Sequence, residues 1–288
     1  MGDPWVPPGP DDHRPDFIVI GAMRAGTSAL WIWLRDHPGT NLVTAKEPNL
    51  FVEMPDMRSA PWAGFFPPPD GGRTGESSVS YADPSVADLV AGRIAEHAPD
   101  AQLVYVVRHP VERTRSHHRH SYLRGRERRS ITEAAVPGSR YVARSRYATV
   151  LETFRAHVDP ARILVVVHEE LVGGDDGPWL GLLDHLGLEH GPRPDEVHNA
   201  TESKALVHPV ARRYFDLGLD RVVRRLVPRR VRRLGADRLI RSSGGVEEAR
   251  AAASGPLPES TMAVLRDETD RLEELLGRPT GWVLDGAS

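Results

Sequence analysis

The sequence contains no cysteine in 288 residues, which excludes disulfides, thiolate metal sites and cysteine nucleophiles together. It has no apolar run approaching the roughly 18 residues that a membrane-crossing helix needs. It has no excess of positive charge: the formal net charge is −3, which gives a wholesale nucleic-acid binder no electrostatic footing. The first residues, Met1 to Arg14, are rich in proline and acidic side chains and lack the basic-then-apolar order of a secretory leader. Residues 1–15 therefore read as a flexible lead-in, residues 16–288 as a single domain, and a cytoplasmic location fits.

Short β-branched apolar runs stand at Phe17–Ile20, Leu103–Val107 and Ile163–Val167, with a weaker one at Asn41–Val43. Each predicts a buried strand. Helical periodicity predicts helices over residues 27–36, 85–97, 111–124, 146–157 and 178–186. Strands that are apolar on both faces and alternate with helices imply an α/β fold, a P-loop-like three-layer arrangement with a central, mainly parallel sheet flanked by helices. Ligands of such folds bind outside the carboxyl ends of the strands, so the residues that follow each strand are the informative ones.

Two stretches depart from the pattern. Residues 54–75 hold five prolines and the pair Gly71-Gly72, and predict a loop anchored by Trp62, Phe65 and Phe66. Residues 210–241 are crowded with arginine at helical spacing, part of an expected helical insertion or cover at about 205–255. A run of this kind can lie on a membrane surface or bind an acidic partner, but a solvated face is the commoner outcome. A last helix is expected over 259–276, stopped by Gly277 as a C-cap, with Trp282 returning to the body.

After the first strand comes Gly21-x-x-x-x-Gly26 followed by Thr27-Ser28, the outline of a Walker A loop without its lysine. Backbone N–H groups and the positive end of the next helix favour an anion there. The missing lysine speaks against hydrolysis of a magnesium-bound triphosphate. Arg24 places a permanent, forked charge at the tip of the turn, suited to phosphate or sulfate. After the Leu103–Val107 strand come Arg108, His109 and Pro110, with Ser116 about two turns into the following helix. Two anion sites on one sheet edge would suit a nucleotide with phosphates at both ends of its ribose.

These segments resemble the sulfotransferases that use 3′-phosphoadenosine 5′-phosphosulfate (PAPS), in particular the carbohydrate branch related to heparan-sulfate sulfotransferases and its bacterial relatives. Arg24-Ala25-Gly26-Thr27-Ser28 is similar to the family's 5′-phosphosulfate loop, and Arg108-x-Pro-x-x-Arg113-x-x-Ser116 to its 3′-phosphate motif. Asp36-His37-Pro38 with Lys46-Glu47-Pro48-Asn49-Leu50-Phe51 resembles the His-Pro…Lys-Glu-x-His-Phe-Phe run. Gly75-Glu76-Ser77-Ser78-Val79-Ser80-Tyr81 resembles a further segment, and Arg144-Ser145-Arg146-Tyr147, Glu169-Glu170-Leu171, Leu275-Leu276-Gly277-Arg278 and Trp282 continue in order. The richness in arginine and alanine agrees with a GC-rich bacterial source.

The resemblance implies transfer of a sulfuryl group from PAPS to a hydroxyl of a carbohydrate or of a glycosylated or lipid-like metabolite, releasing adenosine 3′,5′-bisphosphate (PAP), with no metal and no nucleic-acid partner. It assigns the general base to Glu47 and leaving-group stabilisation to Arg24, with Lys46 as a second candidate cation. Donor binding falls to Arg24, Ala25, Gly26, Thr27, Ser28, Arg108 and Ser116, and to Lys204 in a worn version of a closing loop. Three departures stand out: arginine for lysine at 24, asparagine for histidine at 49, and Ser77 where some relatives carry lysine. Two other readings remain at this point, a nucleotide kinase and a non-catalytic module that kept the fold. The cluster His117, His118 and His120 lacks the spacing of a metal site, and no Gly-x-Ser-x-Gly elbow supports a hydrolase triad.

Overall fold

In the computed structural model, the described residues are 14–43, 46–54, 56–57, 65–66, 71–194 and 244–284. Lys204, Trp62 and the arginine-rich stretch 210–241 lie outside them. Among the described residues, contacts divide the chain into two compact units. One holds the residues up to Pro110, those from Arg144 to Pro194, and Asp267–Trp282; the other holds Val111–Ala143, the residues up to Arg266, and Val283 and Leu284.

The first unit is built on five parallel strands in the order β2-β3-β1-β4-β5. They are β1 (Phe17–Gly21), β2 (Thr40–Leu42), β3 (Arg73–Ser77), β4 (Gln102–Val107) and β5 (Ile163–Val167). Helices α1 (Thr27–Arg35), α2 (Leu50–Glu53), α3 (Ala87–His97), α7 (Tyr147–Arg155), α8 (His168–Leu171) and α9 (Gly177–Leu186) follow the strands and flank the sheet. β1, β4 and β5 are strands because their side chains bury on both faces, and Phe17, Ile18, Val19 and Ile20 are wholly excluded from solvent. The core continues through Leu30, Trp33, Val90, Ile94, Leu151 and Leu183, and the Trp33 and Trp179 rings meet edge to face with centroids 5.9 Å apart.

β3 was absent from the expected strands, since Arg-Thr-Gly-Glu-Ser carries no apolar run. Pairing on both edges makes it a strand: Phe17 lies opposite Gly75 and Ile18 opposite Glu76. Gly75 is required there, because a β-carbon at 75 would run into the Phe17 ring.

In the second unit, α4 (Pro110–Leu123, in this unit from Val111), α5 (Ile131–Ala134) and α6 (Arg140–Ala143) share a core of Val111, Ile131, Ala134, Tyr141 and Val142. Met262 and Leu265 of α11 (Glu259–Leu276) complete it, and α10 (Gly244–Ala253) belongs to the same unit. Ser130 and Glu133 form a reciprocal capping box at the start of α5. The His117 and His118 rings are buried against Tyr141, and His118 Nε2 lies 2.9 Å from the Arg129 carbonyl. Gly277 ends α11 at φ 66, as its position predicts. Among the described residues no helix is long and apolar enough to cross a membrane.

Candidate active site

The strand order reverses direction between β1 and β4, and the turn after β1 and the residues after β4 stand at the carboxyl ends of these neighbours. This is the switch point at which parallel α/β sheets bind ligands. The β1 turn leads into α1 through Gly26 at φ 101, a left-handed conformation that favours glycine. A second constraint acts at the same residue: a β-carbon on Gly26 would strike the imidazole of His168, the first residue of α8. The Thr27 and Ser28 amides, at the first turn of α1, have no i−4 acceptor within the helix, while those of Ala29 and Leu30 donate to the Gly26 carbonyl at 3.0 and 3.2 Å. Thr27 is buried, while Ser28 faces solvent.

Arg24 sits at the tip of that turn, half-buried, at φ 70. Glu47 and Asn49 adopt φ 61 and 55. Among the described residues these three are the only non-glycine residues in left-handed backbone, and two of them are the candidate leaving-group cation and the candidate base. Such conformations cost on the order of 1–3 kcal/mol each and concentrate where function over-determines the backbone.

The Glu47 turn is held in place from several sides. Its N–H donates to the Ser77 carbonyl at 2.9 Å, at the end of β3. Asn49 donates its side-chain amide to the Glu47 carbonyl at 3.0 Å and accepts from the Ser80 hydroxyl at 2.5 Å. Asparagine tolerates left-handed backbone better than other side chains with a β-carbon, so the departure from the family's histidine is occupied by a residue that braces the turn. Lys46, the second candidate cation, stands beside the same turn. Its ammonium donates to Ser28 Oγ at 2.8 Å and lies 3.9 Å from Glu47 Oε1. The base candidate, a cation and the turn after β1 therefore meet, with the Glu47 side chain left 46% exposed.

Arg108 is half-buried just past β4. Its backbone is pinned: the Tyr147 hydroxyl donates to its carbonyl at 2.8 Å, and the next N–H, of His109, donates to Glu169 Oε1 at 3.0 Å. Trp282 donates its indole N–H to Glu169 Oε2 at 3.1 Å and packs near the Tyr147 ring, and Arg278 grips Glu170 with both terminal nitrogens. The expected return of Trp282 to the body thus reaches the residues that anchor Arg108. Burial, reinforced by the Arg108 charge, lowers the His168 pKa and favours a neutral ring between Gly26 and Arg108. Sequence reasoning missed His168, although its signal was present: it is the first residue after β5, at the same sheet edge. Arg144, also without an assigned role, bonds Asp83 at 2.6 Å and approaches the Met23 sulfur within the turn. Ser116 is buried on α4 in the second unit, and Arg113 is buried there too, donating to the Tyr141 carbonyl.

A parallel sheet with a glycine-bearing turn at its switch point and a carboxylate near that turn defines an α/β fold with a candidate ligand site at the carboxyl ends of β1 and β4. Comparisons narrow it. Residues 77–192 match the model described as "Sulfotransferase family". The chain is 36% identical over 110 residues to mouse (Mus musculus) heparan sulfate glucosamine 3-O-sulfotransferase 6, covering 38% of this chain and 31% of the relative. It is 29% identical over 185 residues to the human (Homo sapiens) 3-O-sulfotransferase 3B1, covering 61% and 46%. The matched regions thus span under half the length of these curated relatives. The fold matches a crystal structure of a sulfotransferase from Alicyclobacillus acidocaldarius with a TM-score of 0.61 at 18% identity, covering 92% of this chain and 97% of that one.

Proposed function

We propose that the protein transfers a sulfuryl group from PAPS to a hydroxyl of a carbohydrate or of a glycosylated or lipid-like metabolite. The observation that carries this reading is the clustering of left-handed backbone at Arg24, Glu47 and Asn49, with Lys46 linking the Glu47 turn to Ser28. Two features support the fit of an anionic donor. The turn at Gly26 has no room for a β-carbon, and the helix that follows has no side-chain cap over its first amides, those of Thr27 and Ser28. The donor supplies the sulfuryl group and departs as PAP.

Glu47 takes the proton of the acceptor hydroxyl as its oxygen bonds to sulfur, a contribution of about 10²–10⁴-fold for a well-placed base. The bond from sulfur to the bridging phosphate oxygen breaks, and the electron pair stays on that oxygen. Arg24 and Lys46 offset the charge that develops there. Arg24 keeps its proton at any working pH, so it acts by charge and not by proton donation. Arg108 is assigned the 3′-phosphate, with Ser116 and Lys204 as its expected companions. The similarity to heparan sulfate glucosamine 3-O-sulfotransferases supports a sugar hydroxyl as the acceptor.

Isothermal titration with PAP, set against ATP plus magnesium, tests the donor site: tight PAP binding is expected, and ATP binding with no PAP binding would reverse the reading. Glu47→Gln should lower sulfuryl transfer by at least about 10²-fold while PAP affinity stays within about twofold. Unchanged turnover in that variant removes Glu47 as the base.

A further inference from the structure

A second carboxyl lies beneath the Glu47 turn. Glu76, near the carboxyl end of β3, is completely buried. An ionisable group in that position opposes folding unless partners hold it. Its Oε2 accepts the Ser78 hydroxyl at 2.7 Å. Ser78 Oγ in turn accepts the Asn49 backbone N–H at 3.0 Å, and the Asn49 side chain donates to the Glu47 carbonyl at 3.0 Å. On its other side the Tyr81 hydroxyl, which accepts the Phe51 N–H at 3.2 Å, neighbours the carboxyl, whose Oε1 has no well-formed hydrogen bond of its own. Glu76 thus reaches the backbone of the Glu47 turn through two hydroxyls, one at Asn49 and one at the start of α2.

We infer that Glu76 is a positioning residue: through Ser78 and Asn49 it sets the conformation of the turn that presents Glu47, and does so differently when protonated and when ionised. The inference rests on the reading of Glu47 as proton acceptor. An ionised carboxyl only accepts hydrogen bonds, so Ser78 turns its proton toward Glu76 and offers its lone pairs to Asn49. A protonated carboxyl must donate, and Ser78 or Tyr81 has to rotate to receive it. Desolvation lifts the Glu76 pKa to about 7, against the hydrogen bonds of Tyr81 and Ser78 and with some help from the Glu47 charge. The proton is therefore held below about pH 7 and lost above it. The titratable groups that act on Glu76 are Tyr81 and Glu47. Of the nearby cations, Lys46 bonds Ser28 and Arg93 of α3 bonds the Phe51 carbonyl, while β1 presents the uncharged Ile18 at the same register.

The test is backbone amide NMR of the full chain from pH 5 to 9, on wild type, Glu76→Gln and Ser78→Ala, followed by kcat against pH with PAPS and an active hydroxyl acceptor. In wild type the Asn49 and Glu47 amides should shift with an inflection near pH 7. Glu76→Gln should abolish that inflection and the matching step in kcat, with KM for PAPS within about twofold. Ser78→Ala should uncouple Asn49 although Glu76 still titrates. An Asn49 inflection that persists in Glu76→Gln, or is missing in wild type, overturns the inference. An inflection that behaves as expected while Glu47→Gln turns over normally leaves the coupling standing and removes the base assignment instead, so the two failures are distinct.

Discussion

The turn after β1 and the turn before α2 both hold strained backbone at one sheet edge, yet they are built in opposite ways. In the first, glycine takes one left-handed position, Gly26 at φ 101 with the His168 ring where a side chain would begin, and Arg24 at φ 70 takes another. In the second, no glycine is present, and Glu47 and Asn49 are held in left-handed backbone by bonds from Ser77, Ser78 and Ser80. In the proposed reading the first turn offers main-chain amides at Gly26, where there is no room for a side chain, and the Arg24 charge beside them. The second presents a side chain, so its strain has to be carried by a residue with a β-carbon and offset by a polar network beneath it.

The largest expected break in this comparison is Gly26→Ala. Left-handed backbone costs an alanine about 1–2 kcal/mol, and overlap with His168 adds roughly 1–3 kcal/mol. A loss near the sum of the two in urea unfolding, with PAP affinity reduced at least tenfold, is expected; a loss confined to a few tenths of a kcal/mol would show that the turn relaxes freely.

The next effect concerns the carboxyl under the second turn. A rise of the Glu76 pKa from an ordinary 4.5 to about 7 means that the folded chain binds a proton which the unfolded chain releases in that window. The stability associated with this proton is full below about pH 4.5 and is lost as pH rises through about 7. The loss amounts to about 3 kcal/mol at roughly 1.4 kcal/mol per pH unit. Glu76→Gln, which cannot ionise, should therefore be more stable than wild type at pH 8 by up to about 3 kcal/mol and show no such gain at pH 4.5. Parallel unfolding curves at the two pH values check the sign.

Asn49 gives the smallest and most discriminating effect. Asn49→Ala loses the bracing bonds and the tolerance for left-handed backbone together, about 1–2 kcal/mol. Asn49→Gly restores the backbone tolerance alone, so its stability should recover part of the difference while transfer activity stays low. Equal activity in the glycine variant and wild type would show that the Asn49 side chain does not orient Glu47.

The contrast also separates what the residues announce from what they conceal. The three strongest strands and the helices next to them were legible from short β-branched runs and 3.6-residue periodicity, since burial on both faces leaves a local mark. The Gly21-to-Ser28 turn was legible for the same reason, because its geometry is dictated by neighbours in sequence. β3 was not, because Thr74, Gly75, Glu76 and Ser77 are buried by pairing with β1 and β2, which lie 30 or more residues away along the chain. Lys46 read as a second candidate cation beside Glu47, and only folding shows that it spans to Ser28. His168 and Glu76 owe their altered ionisation to burial and to charges brought from other elements, and neither effect has a local signature.

The sequence alone determined the α/β class, the glycine-bearing turn after β1 and the order of the segments that resemble sulfotransferases, because each is carried by residues close together in the chain. The tertiary structure decided which carboxyl is exposed and which is buried, where the Lys46 charge is directed, and what holds Glu47 in its strained turn. Those depend on desolvation and on hydrogen bonds between distant segments, which exist only once the sheet has closed around them.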